Sequence, residues 1–172
     1  MELKDYVATI EDFPKKGIMF RDVTPMVRDG KAFAYSIGKL AEFAKEVGAN
    51  VIIGPEARGF IFGCALANKL GLGFAPVRKP GKLPRETISA TYALEYGTDT
   101  LAIHKDALKK GDKVLIVDDL LATGGTAHAC EELVKMLGAE TVGFAAVIEL
   151  PALGGRDKLE CPVYTLLSYD GE

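Results

Sequence analysis

The sequence predicts an α/β fold: a parallel sheet flanked by helices on both faces and interrupted by one β-hairpin insertion. Two observations carry the prediction. Short all-apolar runs rich in Val and Ile alternate with stripes of helical period, and glycines punctuate the joints. Near the middle of the chain the period switches to two, which a parallel core does not need.

The elements follow in order. From Lys31 to Val47, Phe33, Ile37, Leu40, Ala44 and Val47 recur at steps of four and three, one stripe of an amphipathic helix that Gly48 stops. "NVIIG" (50–54) reads as a strand buried on both faces. "GFIFGCALANKL" (59–70) is apolar nearly all round, which predicts a buried helix ending at Gly71, and "GFAPV" (73–77) is the next strand. "RKPGKLPRET" (78–87) joins four cations to Gly81 and two prolines, the composition of a mobile exposed loop. Beyond it Ile88, Ala90, Tyr92, Leu94 and Tyr96 alternate with polar or small residues. That is a half-buried strand, which "GTD" (97–99) turns back into "TLAIH" (100–104). The core rhythm then resumes with a strand at 113–117, a helix at about 125–137 stopped by Gly138, a strand at 142–148 and a last strand near 163–167.

Length and composition bound the function. A chain of 172 residues supports one domain over 1–172, with the insertion at about 78–104. The 48% hydrophobic and 26% charged content is ordinary for a soluble protein. A net charge of −3 argues against broad nucleic-acid binding, so a polyanionic ligand needs local cations or a metal. There is no secretory h-region and no apolar stretch of the ~20 residues that span a bilayer, so the expected location is the cytoplasm, with no membrane partner. Cys64, Cys130 and Cys161 form no metal or redox motif and read as buried reduced thiols.

The chemistry concentrates in "VLIVDDLLATGGTAHA" (114–129), an apolar strand, two adjacent acids, a small glycine loop and a helix start. In open parallel sheets ligands bind beyond the carboxyl ends of the strands, where this segment places the acids and the loop. Thr123 to Thr126 offer hydroxyls and backbone N–H groups to an anion. Taken alone, "TGGT" fits a plain tight turn as well as a phosphate cradle. No Gly-Lys-Ser/Thr follows the glycines and no G-x-G-x-x-G is present, which lowers triphosphate hydrolysis and dinucleotide chemistry in rank. Two carboxylates ~4 Å apart repel by ~1 kcal/mol in water and ~4 kcal/mol at an effective dielectric of 20. Extended backbone sends adjacent side chains to opposite faces, giving Asp118 and Asp119 different partners. Sugar hydroxyls beside a phosphate satisfy both features, a ribose-phosphate site.

"VLIVDDLLATGGT" resembles the signature with which type I phosphoribosyltransferases bind phosphoribosyl pyrophosphate. "DFPKKGIMFRDVTPMV", "GPEARGFIFG", "PVRKPGKLP" and "LEYGTDTLAIHKDA" are similar to the adenine-using members of that family, and the likeness runs from about Phe13 to Tyr169. The resemblance implies a Rossmann-like core with a flexible β-hairpin hood. It implies conversion of adenine and phosphoribosyl pyrophosphate to AMP and pyrophosphate, with Mg²⁺ held mainly by substrate and water, in a homodimer. By the same resemblance Ala122, Thr123, Gly124, Gly125 and Thr126 hold the 5′-phosphate, and Asp118 and Asp119 the ribose hydroxyls. Glu56, Ala57, Arg58 and Gly59 match the pyrophosphate loop, which in the family contains a non-proline cis peptide. Phe20 and Leu120 sandwich the base, while backbone groups of Met19 and Arg21 read its edge. Glu95, on the polar face of the hood strand, is the candidate for moving a proton at the purine ring.

Breaking the anomeric C–O bond leaves an oxocarbenium-like sugar and a departing polyanion. Arg58, Arg78, Lys79 and Lys82 would stabilise that charge as it develops. His104 and His128 read as structural. Two other functions compete: transfer to a 6-oxo purine, whose ring edge reverses the donor and acceptor pattern, and a non-catalytic sensor of phosphoribosyl pyrophosphate. A sensor would be expected to add a DNA-binding domain or basic face and to lose the hood cations; neither holds here.

Overall fold

The computed structural model describes residues 1–94 and 96–170. Five strands form the central sheet: β3 (Val51–Pro55), β4 (Gly73–Val77), β7 (Lys113–Leu121), β8 (Glu140–Glu149) and β9 (Val163–Ser168). They lie in the order β4-β3-β7-β8-β9 and every pairing is parallel. The first two core strands thus run outward in one direction and the last three in the other. β3 and β7 flank the point where the order reverses, the place where such sheets bind ligands.

Both faces of the sheet are buried, as the apolar strands require. Leu115 and Val117 of β7 pack with Leu40 and Ala44 of α2 (Gly30–Val47) and with Phe62 and Leu66 of α3 (Arg58–Leu70). Val114 and Ile116 face the other way, toward Cys130, Leu133 and Val134 of α4 (Gly125–Met136). Each helix starts and stops for a local reason. The Asp29 carboxylate accepts from the Lys31 and Ala32 N–H groups to cap α2, and Gly48 ends it in left-handed geometry (φ 74°).

The hairpin is a separate two-stranded sheet of β5 (Thr87–Leu94) and β6 (Gly97–His104). Its alternation holds as far as Tyr92: Ile88, Ala90 and Tyr92 pack on the α4 side of the core, while Thr87, Ser89 and Thr91 are exposed. Leu94 and Tyr96, expected on the packed face, are exposed because they lie past the end of the contact with α4. Arg78 bridges antiparallel to Ala102, with N–H···O distances of 2.9 and 2.7 Å, and so fastens the start of the cationic loop to β6.

Three expectations change. The strand foreseen at 113–117 continues to Leu121, because pairing with β8 persists through Asp118 and Leu120. The helix read as buried all round shows one outer face: Ile61 is 36% exposed and Cys64 is exposed, so Cys64 is not a buried thiol. Its buried side is Gly59, Phe62, Gly63, Leu66 and Ala67, the stripe that meets the sheet. Cys130 is buried and Cys161 half-buried, and burial pushes the Cys161 thiol up to about 12. Finally, the N-terminal segment forms elements that the sequence did not signal: an antiparallel pair of β1 (Ala8–Ile10) and β2 (Phe20–Asp22), then the short α1 (Thr24–Arg28).

Candidate active site

Two turns converge at the carboxyl edge of β3 and β7 around a cavity of about 300 Å³. Its lining runs through Glu56, Ala57 and Arg58 after β3, Asp118 to Leu121 at the end of β7, Ala122 to Thr126 beyond it, and Ala127 and Phe144. The expected phosphate, ribose and pyrophosphate residues therefore meet in one place, although more than 50 positions separate the two loops in sequence.

The glycine loop has the form a cradle needs. Gly124 is the N-cap of α4 with φ 88°, a conformation in which a side chain is strained. The helix begins at Gly125, so Thr126 sits in its first turn, where N–H groups lack intrahelical partners.

The two acids have different environments, as the extended backbone requires. The Asp119 side chain is buried and receives Nε of Arg58 at 2.5 Å. Asp118 accepts the N–H of Asp119 at 2.8 Å and lies against Gly59. Burial first, and then the neighbouring Asp119 charge, push the Asp118 carboxyl well above the usual carboxylate range. Burial disfavours the Arg58 charge, yet Asp119 outweighs it and raises the guanidinium pKa.

Arg58 also carries the site toward the N-terminal segment. Its guanidinium carbon lies 5.3 Å from the centroid of the Phe20 ring, which meets Phe13 edge to face at 5.1 Å. Leu120 lines the cavity itself. The Arg21 side chain is engaged elsewhere, with Nη1 donating to Thr9 at 2.7 Å and the guanidinium 4.1 Å over Tyr169.

The hood cations organise around acids. Glu56 accepts from the Lys79 N–H at 2.9 Å and from Arg78 Nε at 3.1 Å, with Lys82 Nζ at 3.8 Å. The Lys79 N–H first, then Arg78, hold its carboxyl below the usual range despite burial. Lys79 Nζ meets Asp99 at 2.5 Å, and Asp99 raises the Lys79 pKa. Tyr92 extends the chain of contacts, with its hydroxyl 3.4 Å from both Asp99 and Thr126. Its ring lies over Gly125, where a Cβ would stand 2.9 Å from Cδ2. The glycine loop, the hairpin and the turn after β3 are thus joined through Thr126, Tyr92, Asp99, Lys79 and Glu56. The "GTD" stretch (97–99), expected as the turn, is instead the start of β6, where Asp99 pairs with Tyr92; nothing local in the sequence signals that its carboxylate meets Lys79.

Other expectations resolve simply. The Glu56–Ala57 peptide is cis. Glu95 lies outside the described residues. His104 is buried, its Nε2 facing the Arg85 N–H at 3.4 Å, and His128 lies 3.8 Å from Glu131 and 3.9 Å from Glu132 on α4. Among the described residues no group of three or more His, Cys, Asp or Glu could hold a metal ion, and no helix is long and apolar enough to cross a membrane.

Comparison with known proteins agrees with this geometry. The phosphoribosyl transferase domain family matches residues 24–166. The adenine phosphoribosyltransferase of Lactobacillus gasseri is 54% identical over 172 residues, covering 99% of this chain and 98% of its own. The crystal structure of adenine phosphoribosyltransferase from Thermoanaerobacter pseudethanolicus superposes with a TM-score of 0.94 at 52% identity, over 97% of this chain and 98% of that one. The Saccharomyces cerevisiae enzyme, solved with an imino-altritol bisphosphate and adenine, gives 0.90 at 46%, over 95% and 96%.

Proposed function

Because this chain belongs to the phosphoribosyltransferase family, we propose that it transfers the 5-phosphoribosyl group of phosphoribosyl pyrophosphate to adenine, giving AMP and pyrophosphate in purine salvage. One juxtaposition carries the reading. The acid pair at the end of β7 and the glycine loop beyond it face the Glu56–Arg58 turn after β3 across one cavity at the sheet's switch point.

The residues divide the substrate between them. Ala122 to Thr126 receive the 5′-phosphate on backbone N–H groups and hydroxyls, and Asp118 and Asp119 accept from the ribose hydroxyls. As the anomeric C–O bond breaks, charge grows on the pyrophosphate. Arg58 and the hood cations Arg78, Lys79 and Lys82 offset it without rearranging solvent. Glu56 and Ala57 shape that end of the site; the Glu56 side chain acts by gathering cations. Phe20 and Leu120 hold the base, with Met19 and Arg21 backbone groups at its edge, and Glu95 handles the purine proton. A 6-oxo purine would leave those edge groups unpaired, which disfavours it as substrate.

Mg²⁺ suits this donor set. It prefers phosphate oxygens and water with at most one or two carboxylates, and the Asp118–Asp119 pair lines the cavity. Bound to the diphosphate, it supplies charge neutralisation for the leaving group. A homodimer fits the exposed Ile61 on the outer face of α3, and cytoplasmic residence and a single domain over 1–172 with the hood at 78–104 complete the proposal.

Each purine base assayed with phosphoribosyl pyrophosphate and Mg²⁺, following pyrophosphate release, tests the reading. Turnover with adenine far above guanine or hypoxanthine is expected; preference for a 6-oxo purine would overturn it.

A further inference from the structure

The segment after β8 has no role in the chemistry so far, yet it touches the phosphate loop at its backbone. The 3-10 turn Pro151–Leu153 ends at Gly154 (φ 71°), and a second turn, Gly155–Lys158, begins there. A Cβ on Gly155 would stand 2.5 Å from the Ala122 carbonyl oxygen and 3.1 Å from the Gly124 nitrogen. In return, a Cβ on Gly124 would stand 2.6 Å from the Gly155 carbonyl oxygen. The two segments meet backbone to backbone, with no room for a side chain between them.

The next residue anchors this contact. Arg156 donates through Nη2 and Nε to the two carboxylate oxygens of Glu149, at 2.7 and 3.1 Å. Its Nη1 donates to the Val163 carbonyl on β9 at 3.1 Å. Glu149, buried at the end of β8, also accepts from Thr165 Oγ1 at 2.9 Å. The bidentate geometry fixes the direction of the guanidinium as well as its position. Leu150, beside Glu149, donates to the Leu121 carbonyl at 2.9 Å, so the same strand ends also grip the start of the loop.

We propose that Arg156 is a positioning residue for 5′-phosphate binding: clamped to Glu149 and β9, it seats Gly155 against Ala122 and Gly124 and fixes the loop's N–H donors. None of Glu149, Gly155 and Arg156 lines the cavity. It acts through Gly155, whose lack of a side chain is what lets the two backbones meet. The contacts of Gly155 run to Leu121, Ala122 and Gly124 and the hydrogen bonds of Arg156 to Glu149 and Val163, so the effect is confined to ligands that carry the 5′-phosphate. The inference rests on the assignment of Ala122–Thr126 to that phosphate.

Calorimetric titration of the full chain with AMP and, separately, with inorganic pyrophosphate and Mg²⁺ tests it, using Gly155→Ala, Arg156→Gln and Arg156→Lys. Gly155→Ala and Arg156→Gln should weaken AMP about tenfold or more and raise the KM for phosphoribosyl pyrophosphate in parallel, since sub-ångström misplacement of binding donors has effects of this order. Pyrophosphate affinity should stay within about twofold of the parent, and Arg156→Lys should recover part of the AMP affinity. Should Arg156→Gln not fold, the half-exposed charge-preserving Arg156→Lys and Gly155→Ala carry the comparison. Parental AMP affinity in folded variants, or equal loss of AMP and pyrophosphate, would overturn the positioning role. Failure of the parent protein itself to bind AMP would instead overturn the phosphate-loop assignment beneath it.

Discussion

Arg58, the first residue of α3, holds Asp119 of β7 through Nε at 2.5 Å while its guanidinium lies over the Phe20 ring. One side chain therefore links the turn after β3, the acid pair of β7 and the N-terminal Phe20 segment. An arginine suits this because its planar fork can hold a carboxylate along one edge and offer a face to an aromatic ring.

Removing the acids should break this arrangement at its centre. Asp118→Asn combined with Asp119→Asn loses the sugar acceptors and frees Arg58. We expect kcat/KM for phosphoribosyl pyrophosphate to fall by about 100-fold or more. Steady-state kinetics would check it, and near-normal activity would sink the ribose assignment.

Glu95→Gln should behave differently. A residue that moves a proton lowers the chemical rate, by about 100-fold or more, without weakening ground-state binding. Single-turnover kinetics separate the two quantities. A tenfold affinity loss with unchanged chemistry would make Glu95 a binding residue instead.

Asp99 sets the direction of Lys79 from across the hood. Both side chains are partly exposed, so the pair is worth only about 0.2–1 kcal/mol. Asp99→Asn should accordingly raise the KM for phosphoribosyl pyrophosphate about two- to fivefold while leaving the KM for adenine unchanged. Equal effects on both substrates would argue against the coupling.

The Arg156–Glu149 clamp also predicts a pH dependence of stability. Arg156 first, then Thr165, hold the Glu149 carboxyl below its ordinary value of 4.5. The folded protein therefore binds this proton less readily than the unfolded chain. Its contribution is complete above about pH 4.5 and is lost as pH falls through the lower folded value. Glu149→Gln should lower stability by about 1–3 kcal/mol at pH 7, with the gap to the parent narrowing below pH 4.5. Urea unfolding of both proteins across that range would check it; a gap independent of pH would refute the linkage.

The sequence by itself determined the core and singled out the acid pair, the glycine loop and the Glu56–Arg58 turn, which the fold gathers around one cavity. Runs such as "NVIIG" and "VLIV" have one comfortable place, a strand covered on both sides, and an acid pair followed by "ATGGT" has few chemical uses. The half-buried period of two at Ile88, Ala90 and Tyr92 likewise announced the hairpin, because its two faces differ in solvent. Contacts between distant segments left no such trace. Nothing local in Asp99, Arg156 or Glu149 distinguishes a surface charge from a clamp, since their meaning lies in partners that the topology delivers. The outer face of α3 is a similar case: apolar composition could not say that Cys64 would face away from the sheet. "LGGR" (153–156) held a legible hint, two glycines where only one is needed to turn the chain. What demanded the second was the backbone of Gly124, 31 residues away in sequence and in van der Waals contact in space. Local residue chemistry is written in the sequence, whereas close approach between strand ends exists only once the sheet has assembled.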